Sequence, residues 1–244
     1  FSANLFKLEG KKIATSNDFN SHTGEIKTND VTLLSENEAN QLCKELTSES
    51  WSIININEKP RTSNPKPPFT TSTLQQEAAR KLRSSARQTM STAQRLYENG
   101  FITYMRTDST HLSDEAIEGA RKIIQNNFGP EYLPDSPKQY KSKVKNIQEA
   151  HEAIRPAHKN FVSIKKVEKS LGKEGSKLYE LIWKRTIASQ MKSAKLKQTS
   201  IVIKVKNAEF KATGQVVLFP GYMKAYVEGK DNPNKDLANK EKIL

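Results

Sequence analysis

The sequence predicts a multidomain α+β chain in which a β-rich arch or hinge domain is interrupted by an inserted, mainly α-helical domain. Three observations carry this expectation. Apolar residues alternate with a period of two near both ends of the chain, as in Ile201, Ile203 and Val205. Between those ends they recur at spacings of three and four, as in Leu74, Ala78 and Leu82. Four prolines, Pro60, Pro65, Pro67 and Pro68, punctuate the first change of period. Period two marks strands with one buried side, and period 3.6 marks amphipathic helices. The expected divisions are 1–63 for the first arch segment, 64–192 for the helical domain, and 193–244 for the second arch segment and tail.

Taken in order, Phe1 to Leu8, then Glu9-Gly10, then Lys11 to Ile13 read as a hairpin with a glycine turn. Ser35 and Glu38 form a capping box that starts a helix with Ala39, Leu42, Cys43 and Leu46 on one face. Cys43 is the chain's single cysteine, so an internal disulfide is impossible, and its place in that stripe predicts a small core residue. Trp51 to Ile56 reads as a strand, and Pro60 to Pro68 as a stiff crossing linker.

Thr73 and Gln76 form a second capping-box pattern. Met90, Ala93, Leu96 and Tyr97 make the next stripe, ended by Gly100 where a left-handed C-cap is needed. Ser113 caps a helix with Asp114 and Glu115 in its first turn and Leu112 placed to staple onto Ile117, and Gly129-Pro130 stops it. Gly172-Lys173-Glu174-Gly175-Ser176-Lys177 has two residues too few between its glycines for a phosphate-binding loop and reads as a turn before a helix carrying Leu178, Leu181, Ile182, Ile187 and Met191. Strands return from Thr199, and the polar tail from Gly229 reads as a linker.

The charge balance narrows the partner. Forty Lys+Arg against 27 Asp+Glu give a formal net charge of +13, which favours a polyanion or serves solubility. Its distribution favours the polyanion. Between Arg61 and Arg95 seven cations (Arg61, Lys66, Arg80, Lys81, Arg83, Arg87 and Arg95) face only Glu77, and Lys138, Lys141, Lys143 and Lys145 form a second basic run. No apolar run approaches a membrane span, so the expected setting is soluble and cytoplasmic, without a membrane.

The chemistry concentrates in Tyr104-Met105-Arg106-Thr107-Asp108-Ser109-Thr110, entered through Leu96 to Thr103. In extended backbone Tyr104 and Arg106 share a side. A phenol that attacks phosphorus would then stand beside a guanidinium that holds phosphate oxygens. With a phenol pKa near ~10, only about 0.1% is phenolate at neutral pH, so attack needs a cationic field or a base. Read without further context, Tyr104 is a half-buried aromatic and Arg106 a surface ion-pair partner of Asp108.

This segment resembles the active-site motif of type IA DNA topoisomerases, and two further stretches resemble that family in the same order. They are Pro68-Phe69-Thr70-Thr71-Ser72-Thr73-Leu74-Gln75-Gln76-Glu77-Ala78 and Gln148-Glu149-Ala150-His151-Glu152-Ala153-Ile154-Arg155-Pro156. The resemblance implies that Tyr104 attacks single-stranded DNA, keeps a 5′-phosphotyrosine link and releases a 3′-hydroxyl. It implies that Arg106 holds the scissile phosphate and that His151 lies near it. Thr107, Asp108 and Ser109 are then expected to contact DNA, and two roles are open to Arg155, DNA contact or ordering the turn before Pro156. Thr73 and Gln76 either reach phosphates or cap a helix. His22, His111 and His158 lack partners at metal-ligand spacing and are assigned no chemistry.

The resemblance also implies Mg2+, held by an acidic cluster of the family's N-terminal domain, which nothing in this sequence resembles. It covers the middle of such an enzyme, the part that carries the nucleophile and the gate. The implied partners are single-stranded and negatively supercoiled DNA, engaged by a monomer in the bacterial nucleoid. The competing reading is a basic DNA-binding module without chemistry, in which Tyr104 stacks on a base. A tyrosine recombinase or type IB enzyme is disfavoured, because its tyrosine follows its arginines and histidine, whereas Tyr104 precedes His151 and Arg155.

Overall fold

The hairpin at the N-terminal end forms because Glu9 and Gly10 both take positive φ (52° and 79°), the two-residue turn that matches strand twist. In the computed structural model, which describes residues 2–140, 152–227 and 229, it joins β1 (Asn4–Leu8) to β2 (Lys11–Ile13) in antiparallel register, Leu8 opposite Lys11. β2 pairs in parallel with the two-residue β3 (Val31–Thr32). Helix α1 (Glu36–Thr47) starts at Ser35, whose hydroxyl accepts from the Glu38 N–H while the Glu38 carboxylate accepts from the Ser35 N–H.

β4 (Ser52–Ser63) is twice the length read from the sequence and runs straight through Pro60. It is an outer strand of the single six-stranded sheet, ordered β3-β2-β1-β6-β5-β4. An outer strand tolerates proline because one row of its N–H groups has no ladder partner to lose. β5 (Ala194–Val205) begins five residues before the expected Thr199 and turns at Lys206-Asn207 into β6 (Ala208–Phe219), with Lys206 at φ 48°.

Among the described residues, the rest is built chiefly from the α-helices α2 (Thr71–Leu82), α3 (Ala86–Glu98), α4 (Asp114–Asn127) and α5 (Ile164–Ser189). The cap of α2 is Thr70 with Thr73, three residues earlier than Thr73 with Gln76, because the Thr70 N–H and hydroxyl reach Thr73 directly. α3 ends in a full Schellman arrangement: Gly100 (φ 70°) donates to the Tyr97 carbonyl at 2.8 Å and Phe101 to the Leu96 carbonyl at 2.9 Å. Ser113 caps α4, and Leu112, Ala116, Ile117 and Ala153 close a buried cluster around its first turn. α5 is broken at Gly172 (φ 73°, ψ −175°), so helix precedes that turn as well as following it.

The chain divides into two compact units. One comprises Phe1–Arg61 and Leu196–Val217; the other comprises Thr62–Lys195 and continues from Leu218. The backbone crosses between them within β4, β5 and β6. In the first, Leu46, Val205 and Ala208 form the buried cluster, with Leu5, Leu8, Leu42 and Phe210 packed on it. Cys43, expected in that core, is exposed: Leu42 and Leu46 take the packed side of α1, and Cys43 lies one step round the helix from them. In the second, α2, α3 and α5 pack mutually, burying Leu74, Ala78, Ala93, Leu96, Tyr179 and Ile182 completely. Tyr97, read as part of the α3 core stripe, is 41% exposed, and Thr89 and Thr92 are buried instead.

Candidate active site

The loop that follows α3 has no ladder, only an isolated bridge between Ile102 and Pro156, yet from Tyr104 to Ser109 its residues alternate between exposed and buried. Met105, Thr107 and Ser109 are buried at 1%, 8% and 5% exposure, while Tyr104, Arg106 and Asp108 face outward. Tyr104 and Arg106 are therefore both exposed, on a segment that bends at Met105 and Arg106. The Tyr104 ring meets Tyr97 edge-on, with centroids 5.3 Å apart.

Side chain to backbone hydrogen bonds hold this loop. Thr71, the first residue of α2, donates its hydroxyl to the Met105 carbonyl (2.8 Å) and accepts from the Thr107 N–H (2.9 Å). Its own N–H, one of the donors left over at a helix start, goes to the Thr107 carbonyl (2.9 Å). Thr103 donates its hydroxyl to the Ala153 carbonyl (2.7 Å) and accepts from the Arg155 N–H (3.0 Å). Ile154 N–H reaches the Phe69 carbonyl and Ala153 N–H the His111 carbonyl. The three motif stretches thus interlock through their backbones.

Arg155, expected among the DNA-contacting residues or as the order of its turn, does the second in this structure. It is 7% exposed; Nε donates to Glu152 Oε2 (2.9 Å), and its terminal nitrogens reach the Pro156 carbonyl and Ser113 Oγ. Glu152 also accepts from the Ser113 N–H at 2.9 Å, tying the start of α4 to this knot. The Glu152–Arg155 ion pair, three residues apart, forms on an irregular segment rather than on a helical turn.

Thr107 and Ser109, also expected to face DNA, point inward: Thr107 Oγ1 accepts from the Ser109 N–H, and Ser109 Oγ accepts from the His111 N–H. Thr73 is engaged in the α2 cap, whereas Gln76 is exposed. Asp108 is exposed and forms no ion pair with Arg106. His151 and the lysines at 141, 143 and 145 lie outside the described residues. Lys138 is half-buried, and desolvation pulls its pKa below the ordinary lysine value. Burial pushes the Tyr140 and Tyr179 phenols up; their hydroxyls donate to the Ser189 and Val162 carbonyls.

Sequence reasoning missed the part that Thr71 and Thr103 play in holding the loop and the contact of Tyr97 with Tyr104. Thr71 sits in a run of hydroxyl residues with nothing local to single it out, and its partners lie 34 and 36 residues away. Among the described residues no group of three or more His, Cys, Asp or Glu could hold a metal ion. No described helix is long and apolar enough to cross a membrane.

A family model described as DNA topoisomerase matches residues 3–243. DNA topoisomerase 1 of Synechococcus elongatus is 51% identical over 247 residues, which cover all of this chain and 28% of that protein. DNA topoisomerase 1 of Streptomyces coelicolor is 45% identical, over 99% of this chain and 26% of the relative. A solved structure of full-length topoisomerase I from Thermotoga maritima superposes with a TM-score of 0.66 at 36% identity, covering 86% of this chain and 35% of that one. The chain thus spans about a quarter of the length of the curated relatives it matches, which have 28% and 26% of their length covered. With a family match that runs nearly from end to end, this chain belongs to the type IA DNA topoisomerases of the bacterial topoisomerase I kind.

Proposed function

We propose that the chain supplies the nucleophile and the strand gate of a topoisomerase that relaxes negative supercoils by transient single-strand cleavage. The observation that carries this reading is the exposed pair Tyr104 and Arg106 on a loop tied to its neighbours by the hydroxyls of Thr71 and Thr103. Tyr104 Oη bonds to the backbone phosphorus and loses its proton. The bond from phosphorus to O3′ breaks, and O3′ leaves with the electron pair and takes up a proton. One phosphodiester replaces another, so resealing is the reverse step and needs no nucleotide. Arg106 offers paired donors to the non-bridging oxygens as their negative charge grows. His151 is assigned to the neighbourhood of the phosphate on the resemblance alone.

The domain division proposed is 1–63, 64–192 and 193–244; the crossings between compact units near residues 61 and 195 support its first two boundaries, whereas the stretch from Leu218 groups with the helical unit, and the strands at the crossings are read as a hinge. Mg2+ belongs to the family reading, but the described residues do not fit that ion, and no step is derived through it. A cytoplasmic, nucleoid-bound monomer acting on single-stranded and negatively supercoiled DNA completes the proposal.

The test is Tyr104→Phe in the full-length protein, with Mg2+ and an end-labelled single-stranded oligonucleotide. The expected outcome is complete loss of the covalent adduct at the 5′ end of the cut strand with DNA binding retained. An adduct that persists overturns the nucleophile assignment, and undiminished activity of every kind selects the non-catalytic DNA-binding module.

A further inference from the structure

Away from the Tyr104 loop, two adjoining cavities of about 380 and 320 Å³ form a cleft between α3 and the part of α5 that follows Gly172. They share Gln88, Thr92 and Glu174, and no residue of the cleft belongs to the loop 101–113. Five cations line it: Arg83, Arg87, Arg95, Lys173 and Lys177. Glu174 is the one acidic side chain in the lining, and its Oε1 accepts from Gln88 Nε2 (2.9 Å) and Thr92 Oγ1 (3.1 Å).

None of the five cations forms an ion pair with a described residue, in contrast to Lys12, Lys159, Lys184, Lys197 and Lys206 elsewhere on the surface. Like charges gathered in a concave site repel one another and raise the local potential by several kT. The first turn of α3 and the turn that restarts α5 at Lys173 both open into the cleft, adding the positive ends of two helix dipoles. Arg87 and Arg95 stand eight residues apart on α3, about 12 Å along its axis at 1.5 Å per residue. That spacing follows a charged chain rather than a single anion. Serine and threonine hydroxyls between the cations supply the short neutral donors that phosphate oxygens take.

We infer that this cleft is a second nucleic-acid site, which holds the phosphodiester backbone of a single strand other than the segment at Tyr104. The inference deepens the topoisomerase reading, because a strand-passage enzyme handles two segments, but the binding it asserts is measurable without cleavage.

The experiment is binding of a fluorescent oligo-dT to the full-length protein over a range of salt concentrations. The variants are Arg87→Gln/Arg95→Gln/Lys173→Gln combined and Glu174→Gln alone. Each cation that neutralises a phosphate adds about 0.7 to the slope of log K against log salt, so the triple variant is expected to lose about 2 from that slope. Glu174→Gln is expected to bind more tightly, a gain that misfolding does not produce. An unchanged slope in the triple variant, or no gain from Glu174→Gln, overturns the proposal. Displacement of oligo-dT by poly-glutamate as effective as by unlabelled oligo-dT also overturns it, in favour of an acidic peptide. Tyrosyl adduct formation on a short cleavage-site oligonucleotide, measured in parallel, is expected to be unaltered by the triple variant and so separates failure of this inference from failure of the Tyr104 assignment.

Discussion

β4 and the Tyr104 loop are opposites. β4 is regular, twelve residues of strand, yet every residue but its last is exposed, with Ile53 at 60%, Ile54 at 49% and Ile56 at 58%. The Tyr104 loop has almost no regular structure, yet Met105, Thr107 and Ser109 are buried in alternation with exposed neighbours. Regularity of hydrogen bonding and precision of side-chain placement are therefore separate properties. β4 is positioned by its ladder, while the loop is positioned by hydroxyls and a carboxylate on neighbouring segments, which fix where each outward side chain points.

The largest expected break in that contrast is Met105→Ala, which empties a side chain that is 1% exposed. A buried Met-to-Ala change costs about 2–5 kcal/mol, measurable by denaturant unfolding, and adduct formation is expected to fall with it as the loop slackens. Next is Thr71→Val, which keeps the shape but strands the Met105 carbonyl and the Thr107 N–H. Leaving buried groups unpaired costs about 1–3 kcal/mol, and the adduct yield is expected to fall more than the stability requires. Ile54→Ala in β4 is expected to change stability by less than about 0.5 kcal/mol, since that side chain is already half in water. A cost as large as that of Met105→Ala would show that β4 is covered in solution.

The smallest effect separates the units by pH. Asp18 is held well below its ordinary 3.8, at about 2, chiefly by Lys12 and by the hydroxyl and N–H of Thr15. A depressed carboxyl pKa stabilises fully above the unfolded value and ceases to do so as the pH falls through the folded one. Asp18→Asn is therefore expected to lose a small increment of stability at neutral pH and none below about 2, read as a difference between acid-unfolding curves.

Much of the chain was legible where the signal is short-ranged. The Glu9-Gly10 turn, the Ser35 box, the Gly100 C-cap and the Ser113 cap with its Leu112–Ile117 staple all involve residues within five of one another, and all form. The errors fall where the answer depends on what lies opposite. Nothing near Cys43 says which side of α1 is covered, and nothing near Tyr97 says that its neighbour is Tyr104. Nothing near Arg155 says that Ser113, 42 residues away, joins its local partners Glu152 and Pro156.

The sequence by itself determined the family, the alternation of strand-rich ends with a helical middle, and the tyrosine and arginine spaced to share a side. Those follow from backbone periodicity and from caps and turns satisfied within a few residues. Only the tertiary structure decided that Thr71, Thr103 and Glu152 knit the three motifs into one knot, that Arg155, Thr107 and Ser109 turn inward, and that five cations without an ion pair to any described residue meet in one cleft. Burial and hydrogen-bond pairing between residues thirty or more positions apart depend on the packing of whole helices, and no local stretch of sequence carries that information.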